Sequence, residues 1–338
     1  MLETARSPQG GGDRGPRSGT YRHVQYIDVV IVHYPSTKDV LECLETLEGA
    51  EARVASVTVV NNDSPEQIGP EMFAGRDVKV LHRDNNDGFG TAANSGSTEG
   101  DASLILLINP DVRLDPESFS SLVSLIGSDG IGAAAPRLVL PDGQPQSGPA
   151  GYSPGVLAVA SHAFQVPGWF PGRWFERPLF LGRSKVEETN GGGPIAREVD
   201  WVSGACMLVR RQAFEQVGGF DPRFFMYGED MDLCFRLKRE GWRVVYCPSE
   251  WAEHRHVSSA DSASHRAAPI TWLDGLDRLY SIHCPKRRRV LHLVSACGFA
   301  LRSVAYSLRI AKPHSQGAGA GRRMAQYARH ATRLAIRS

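Results

Sequence analysis

The chain has 338 residues, enough for one large α/β domain with appendages or for two modest domains. Its 38 lysines and arginines stand against 37 acidic residues, so no overall field draws in nucleic acid or another polyanion, and any charge preference is local. The six cysteines, Cys43, Cys206, Cys234, Cys247, Cys284 and Cys297, show no Cys-x-x-Cys pair and follow no secretory leader, which points to reduced, buried thiols in a cytosolic compartment rather than a zinc or disulfide framework.

Residues 1–24 are rich in Gly, Arg, Ser and Pro and hold almost no aliphatic side chain, so they are expected to form a disordered arm. The run Ile27-Asp28-Val29-Val30-Ile31-Val32 then reads as a strand covered on both faces. A helix follows, capped by Ser36 or Thr37, with Val40, Leu41, Leu44 and Leu47 at helical spacing. Val57-Thr58-Val59-Val60 is a second strand ending in the turn formers Asn61-Asn62-Asp63-Ser64-Pro65. Val78-Lys79-Val80-Leu81, a helix bearing Ala92, Ala93 and Asn94, and Leu104-Ile105-Leu106-Leu107-Ile108 continue the alternation, which predicts a mainly parallel sheet flanked by helices. In such sheets ligands bind beyond the carboxyl ends of the strands. Residues 141–198 turn to Gly, Pro and aromatics, among them Trp169, Phe170, Trp174 and Phe175, and read as an insertion near that edge. Regular structure resumes over 201–209, with helices near 211–217 and 229–240, the second stopped by Gly241.

Three segments carry candidate chemistry. Asn109-Pro110-Asp111 is delivered by a buried strand to its carboxyl end, where Asp111 is either a capped turn or a hard-oxygen ligand for a divalent cation. Glu229-Asp230-Met231-Asp232 crowds carboxylates at a helix start, which is either capping or the setting of a general base. Glu253-His254-Arg255-His256 offers imidazoles for a cation and a guanidinium fork for phosphate, or is plain surface.

Taken in chain order, these pieces resemble the inverting family 2 glycosyltransferases of the GT-A fold, in the bacterial rhamnosyltransferase-like branch. The resemblance covers residues 26–260 and is most specific from Asp200-Trp201-Val202-Ser203-Gly204-Ala205-Cys206 through Val217-Gly218-Gly219-Phe220-Asp221 and Phe225-Met226-Tyr227-Gly228-Glu229-Asp230-Met231-Asp232-Leu233 to Gly241-Trp242. Asn86-Asp87-Gly88-Phe89-Gly90 with Asn94, and Asn109-Pro110-Asp111, also match. The resemblance implies a nucleotide-sugar donor held by His33, Tyr34, Asn61, Asn62, Ser64, Asn86, Gly88, Phe89, Asn94, Asn109 and Asp111. It implies Mg2+ or Mn2+ on Asp111 and His254, Asp230 as the base, and an acceptor beside Trp201, Gly204 and Glu229. One departure stands out: the family usually has Asp where this chain has Asn61, which changes the hydrogen-bonding pattern offered to a base. The branch implies L-rhamnose from dTDP-rhamnose, passed to a saccharide hydroxyl on a polyprenyl-diphosphate-linked acceptor in cell-envelope polysaccharide synthesis. A nucleotidyltransferase is the alternative enzyme, but the chain has no Gly-rich, lysine-bearing phosphate loop near its start. A non-catalytic nucleotide-sugar-binding module is disfavoured by the joint presence of Asp111, Asp230 and His254.

The expected division is an arm over 1–24, a GT-A domain over 25–283 and a basic amphipathic helical tail over 284–338. In the tail, Pro285-Lys286-Arg287-Arg288-Arg289 precedes an apolar stretch over 290–310 that His292, Arg302 and Arg309 interrupt, which argues against a spanning helix. Two readings stay open: a helix lying on an anionic membrane surface, or one packed on the domain with a solvated basic face. The expected location is cytoplasmic, with the inner face of the bacterial plasma membrane as a peripheral address. Nothing in the tail has the aromatic interleaving of a nucleic-acid binder, and no feature sets an oligomeric state.

Overall fold

The aliphatic run of residues 27–32 becomes β1 (Tyr26–His33), buried at every position after Tyr26. It is the centre of the architecture in the computed structural model, which describes residues 26–33, 36–49, 53–62, 68–73, 75–164, 178–181, 196–255, 272–310, 328–329 and 331–336. The arm over 1–24, the aromatics at 169–175 and the candidate residues Tyr34, Ser64 and His256 lie outside the described residues.

After β1 come α1 (Thr37–Glu48), β2 (Arg53–Asn62), β3 (Val78–Arg83), α2 (Phe89–Ser97) and β4 (Leu104–Ile108), as the alternation predicts. Ser36 caps α1 by accepting from the Asp39 amide at 3.2 Å. Next are β5 (Val112–Leu114), α3 (Pro116–Ile126), β6 (Ile131–Val139), β7 (Ala150–Gly151) and α4 (Val156–Phe164). Then follow β8 (Arg197–Val199), β9 (Trp201–Val202), β10 (Cys206–Arg210), α5 (Arg211–Gln216), α6 (Glu229–Arg239), β11 (Arg243–His254), α7 (Trp272–His283) and α8 (Arg288–Ile310).

The main sheet has the order β3-β2-β1-β4-β10-β6-β11-β5, with β8 beside β11. The β1, β2, β3 and β4 pairings are parallel, and so is β6 with β11, while β10 runs antiparallel between β4 and β6. Alternate residues of the buried strands feed two cores. Val30, Val60, Leu107 and Met207 face Ala93, Phe220 and Leu233, whereas Val29, Val59, Leu106 and Leu208 face Val40, Leu44, Phe119 and Leu122. Burial on both faces is why these strands read as unbroken aliphatic runs.

Two elements depart from the sequence expectation. β11 follows the helix stopped at Gly241 and runs on to His254 through Pro248, Ser249 and Glu250, because its pairing with β6 skips a register between Cys247 and Trp251. Within 141–198, α4 and β7 form regular structure that the Gly, Pro and aromatic content obscured. Among the described residues no helix is long and apolar enough to cross a membrane.

One buried charge in β1 fixes the sheet to its surroundings. Asp28 accepts from Ser56 Oγ at 2.5 Å, the Ala102 amide at 2.8 Å and Arg211 Nη2 at 2.7 Å, linking β1 to β2, to the lead into β4 and to α5. Removing one partner of a buried pair strands the other, so Asp28→Ala should lower stability to urea by about 3 kcal/mol. Comparing its unfolding midpoint with that of Arg211→Ala and of the double variant checks this, the double variant losing less than the sum.

Candidate active site

The donor-side candidates gather at the carboxyl edge, where β1, β2 and β3 end in register: His33 lies beside Asn61, and Asn61 beside His82. His33 is buried, and Asn61 Nδ2 is 3.4 Å from His82 Nδ1. Asn62 Nδ2 donates to Asn86 Oδ1 at 2.9 Å, and the same oxygen accepts from the Gly88 amide at 3.1 Å. Gly88 has φ of 94°, and a Cβ there would sit 2.1 Å from the Phe225 carbonyl oxygen, so only glycine fits. The next amide, of Phe89, donates to that same carbonyl at 3.2 Å, and the Phe89 and Phe220 rings meet edge to face. Asn94 clamps Phe220: its Nδ2 donates to the Phe220 carbonyl and its Oδ1 accepts the Phe220 amide, both at 2.8 Å. Asn94 thus acts on the loop after α5, a positioning role that its place in the sequence did not reveal. A cavity of about 620 Å³ opens beside His82, Arg83, Asp87 and Ser95, and neither Asp111, Asp230 nor His254 lines it.

At the end of β4, Asp111 meets His254, with Oδ1 3.4 Å from Nε2. Antiparallel pairing of β5 with β11 sets Val112 opposite His254 and so joins residues distant in sequence. His254 Nδ1 lies 2.9 Å from Gln146 Oε1, which orients the ring with Nε2 toward the carboxylate. Gln146 carries no sequence signal, since it sits in an irregular polar turn. Among the described residues no group of three His, Cys, Asp or Glu side chains could hold a metal ion. The Asp111 carboxylate and the His254 imidazole are a donor pair that would suit a divalent cation, with the rest of its shell supplied from outside the protein. Arg255 is taken up by carboxylates, Glu42 at 2.5 Å and Glu253 at 3.0 Å.

Asp230, in the first turn of α6, joins this edge through the turn before β10. The Gly204 amide donates to Asp230 Oδ2 at 3.1 Å, while the next carbonyl, of Ala205, accepts from the Asn109 amide at 2.9 Å. One short turn therefore binds both the end of β4 and the head of α6. Asp230 Oδ1 also accepts from the Met231 amide at 2.8 Å.

Glu229 differs from its neighbour. It is 8% exposed, and its Oε2 is buried with no hydrogen-bond partner. Burial, then the adjacent Asp230 charge, pushes its carboxyl up to about 8, and burial raises Asp230 in the same direction against its backbone donors. Both residues line a cavity of about 170 Å³ walled by Phe180, Trp201, Tyr227 and Leu276. Trp201 is fixed there by its indole N–H to the Leu179 carbonyl at 3.0 Å, and Phe180 packs edge-on against it. Tyr227 holds φ of 66°, a strained value for a tyrosine and the sole positive φ among described non-glycine residues.

The sequence profile of a family described as "Glycosyltransferase like family 2" matches residues 24–268. The chain belongs to this family. It is also 35% identical over 258 residues to the N-acetylglucosaminyl-diphospho-decaprenol L-rhamnosyltransferase of Mycobacterium tuberculosis, covering 72% of this chain and 80% of the relative. A 74-residue stretch is 52% identical to the rhamnosyltransferase WbbL of Escherichia coli, over 22% of this chain and 27% of that protein. Among solved structures, GalNAc-T7 with UDP, GalNAc and Mn2+ superposes with a TM-score of 0.60 at 12% identity, over 90% of this chain. The chain spans 55% of that protein's length. The mannosyltransferase PcManGT of Pyrobaculum calidifontis, with GDP-Man and Mn2+, gives a TM-score of 0.51 at 13% identity over 94% of this chain and 88% of its own. The fold is GT-A, and the protein is a family 2 glycosyltransferase of the rhamnosyltransferase-like branch.

The Glu229 environment sets a pH dependence. The folded carboxyl keeps its proton up to about pH 8, whereas an unfolded glutamate releases it near 4.5. Between those values the native state binds more protons, so this group's contribution to stability falls as pH rises. Relative to Glu229→Gln, which carries no such charge, the wild-type enzyme should lose on the order of a few kcal/mol of stability from about pH 5 to about pH 8. Urea titrations of both proteins across that range measure the gap, and a pH-independent difference would count against a neutral Glu229.

Proposed function

We propose that this family 2 glycosyltransferase moves L-rhamnose from dTDP-rhamnose to a saccharide hydroxyl on a polyprenyl-diphosphate-linked acceptor, with inversion, in cell-envelope glycan synthesis. The donor and acceptor classes are supported by the mycobacterial relative, whose name states a rhamnosyl transfer to a diphospho-decaprenol saccharide. The observation that supports this chemistry is the shared turn at 203–205, whose neighbouring peptide groups bond the Asp230 carboxylate and the Asn109 amide at the end of β4.

The two adjacent carboxylates divide the acid and base roles by their surroundings. Asp230 accepts two backbone N–H groups, which favour its ionised form, while Glu229 Oε2 has no donor and holds its proton. Asp230 thus takes the proton of the acceptor hydroxyl as that oxygen attacks the anomeric carbon from the face opposite the diphosphate. Glu229, Trp201 and Gly204 border the acceptor side, where the aromatic wall suits the apolar face of a sugar ring. Asn62, Asn86 and Gly88 form a polar network that we assign to the nucleoside side, together with Asn61 and, beside it, His33. Asp111 and His254 would hold Mg2+ or Mn2+, which when bound neutralises charge on the leaving nucleoside diphosphate.

Asp230→Asn keeps both the shape and one acceptor atom, so it should preserve donor affinity while lowering kcat by roughly two to four orders of magnitude. Near-normal turnover with dTDP-rhamnose would remove Asp230 from this role. Asp111→Ala should abolish the manganese-dependent part of donor binding in calorimetry, whereas equal heats with and without the cation would place the cation elsewhere.

A further inference from the structure

Helix α8 carries polar side chains within its buried face and leaves an apolar stripe in water. Its inward face, packed on α4 so closely that a Cβ at Gly298 would lie 2.5 Å from Ala163 Cβ, sets polar side chains among the buried Leu291, Ala296 and Phe299. His292 is buried with Nε2 2.9 Å from Asp277 Oδ1, Ser295 is buried, and Arg302 is buried with its guanidinium donating to the His162 carbonyl. Its outward face is apolar: Val290, Leu293, Leu301 and Val304 are 48%, 51%, 58% and 55% exposed, with exposed Cys297 between them. Positions 290, 293, 297, 301 and 304 follow a spacing of three or four and form one stripe along the helix.

The near end of this stripe is cationic. Lys286, Arg287 and Arg289 are exposed immediately before and at its start, while the acids nearby are already paired with cations, Asp277 with Arg288 and Asp274 with Arg333. An apolar stripe with a basic collar is complementary to the boundary between acyl chains and anionic headgroups. A second copy of this chain would bring the same cations face to face with each other or leave them without a partner.

We propose that the outward face of α8, with Lys286, Arg287 and Arg289, docks the enzyme in the plane of an anionic lipid surface. The helix lies on that surface and does not cross it, since its other face is fastened to α4 and α7 by the buried polar contacts. α7 joins the platform to the aromatic cavity, supplying Leu276 to its wall and running by a short turn into α8. A lipid-linked acceptor would then meet the cavity from the bilayer side. That consequence rests on the acceptor reading above, but the docking surface does not.

Flotation of the full chain with vesicles tests this. It should rise with vesicles of phosphatidylcholine and phosphatidylglycerol in equal parts and stay behind with phosphatidylcholine alone. Changing Lys286, Arg287 and Arg289 together to Ala should lower partitioning about a hundredfold, from about fivefold per cation. The variant Leu293→Glu/Leu301→Glu/Val304→Glu should remain unbound while keeping the wild-type thermal midpoint, because these positions face outward. Wild type that fails to float, or triple variants that float as well as wild type, overturns the proposal. So does a wild-type dimer in sedimentation that the glutamate variant dissolves without any change in flotation, since a second copy would then be the occupant.

Discussion

The site depends on two hydrogen bonds made by neighbouring peptide groups, Gly204 N–H to Asp230 and Ala205 C=O to the Asn109 amide. They lie where they do because β10 is antiparallel in an otherwise largely parallel neighbourhood. A parallel strand brings its carboxyl end to the ligand edge, whereas an antiparallel one brings its amino end. Cys206 therefore sits opposite Ile108, and the turn before it falls beside Asn109. Without that reversal the segment bearing Gly204 would emerge at the far edge, and the tie from the end of β4 to the head of α6 through residues 204 and 205 would be lost.

The same tie gives two adjacent acids unequal chemistry. Glu229 and Asp230 are both drawn into a low-dielectric cavity, where two negative charges side by side are unfavourable. Backbone donors reach both oxygens of Asp230 and none reaches Glu229 Oε2, so the geometry favours charge on Asp230 over Glu229. The strained Tyr227, two residues before Glu229, is part of this construction. A positive φ there costs about 1–3 kcal/mol, and α7 packs directly on it, since a Cβ at Gly275 would lie 2.0 Å from the Tyr227 carbonyl oxygen.

Much of the frame is legible in the amino-acid order. The runs at 27–32, 57–60 and 104–108 are apolar on successive residues because both sheet faces are covered, and that pattern admits few other placements. Asp111 and Asp230 could be picked out as carboxylates after a strand and at a helix start, but what separates them from simple caps is long-range. The partner of Asp111 arrives through a strand that continues past Pro248, Ser249 and Glu250, a stretch with no strand signature. Gln146 behind His254, and the Phe220 clamp that occupies Asn94, depend on contacts with no local trace. The unequal hydrogen bonding of Glu229 and Asp230 is likewise invisible in sequence, because one of the donors to Asp230 is an amide from residue 204.

Helix α8 shows a deeper limit of periodicity. Its polar residues recur at helical spacing, and the ordinary inference from His292, Ser295 and Arg302 would turn them to solvent. They point inward because each finds a partner there, Asp277 for His292 and the His162 carbonyl for Arg302, whose guanidinium also lies over the Phe299 ring at 5.3 Å. Burying such groups is unfavourable unless they are hydrogen-bonded, and here the bonding fixes the helix azimuth. Once that azimuth is fixed, Val290, Leu293, Leu301 and Val304 have no inward option. The exposed apolar stripe is thus the counterpart of an inward face that holds His292 and Arg302 against their partners beside Leu291 and Phe299, and a helix that kept those contacts while hiding the outward aliphatic side chains would need a second apolar surface to lie against.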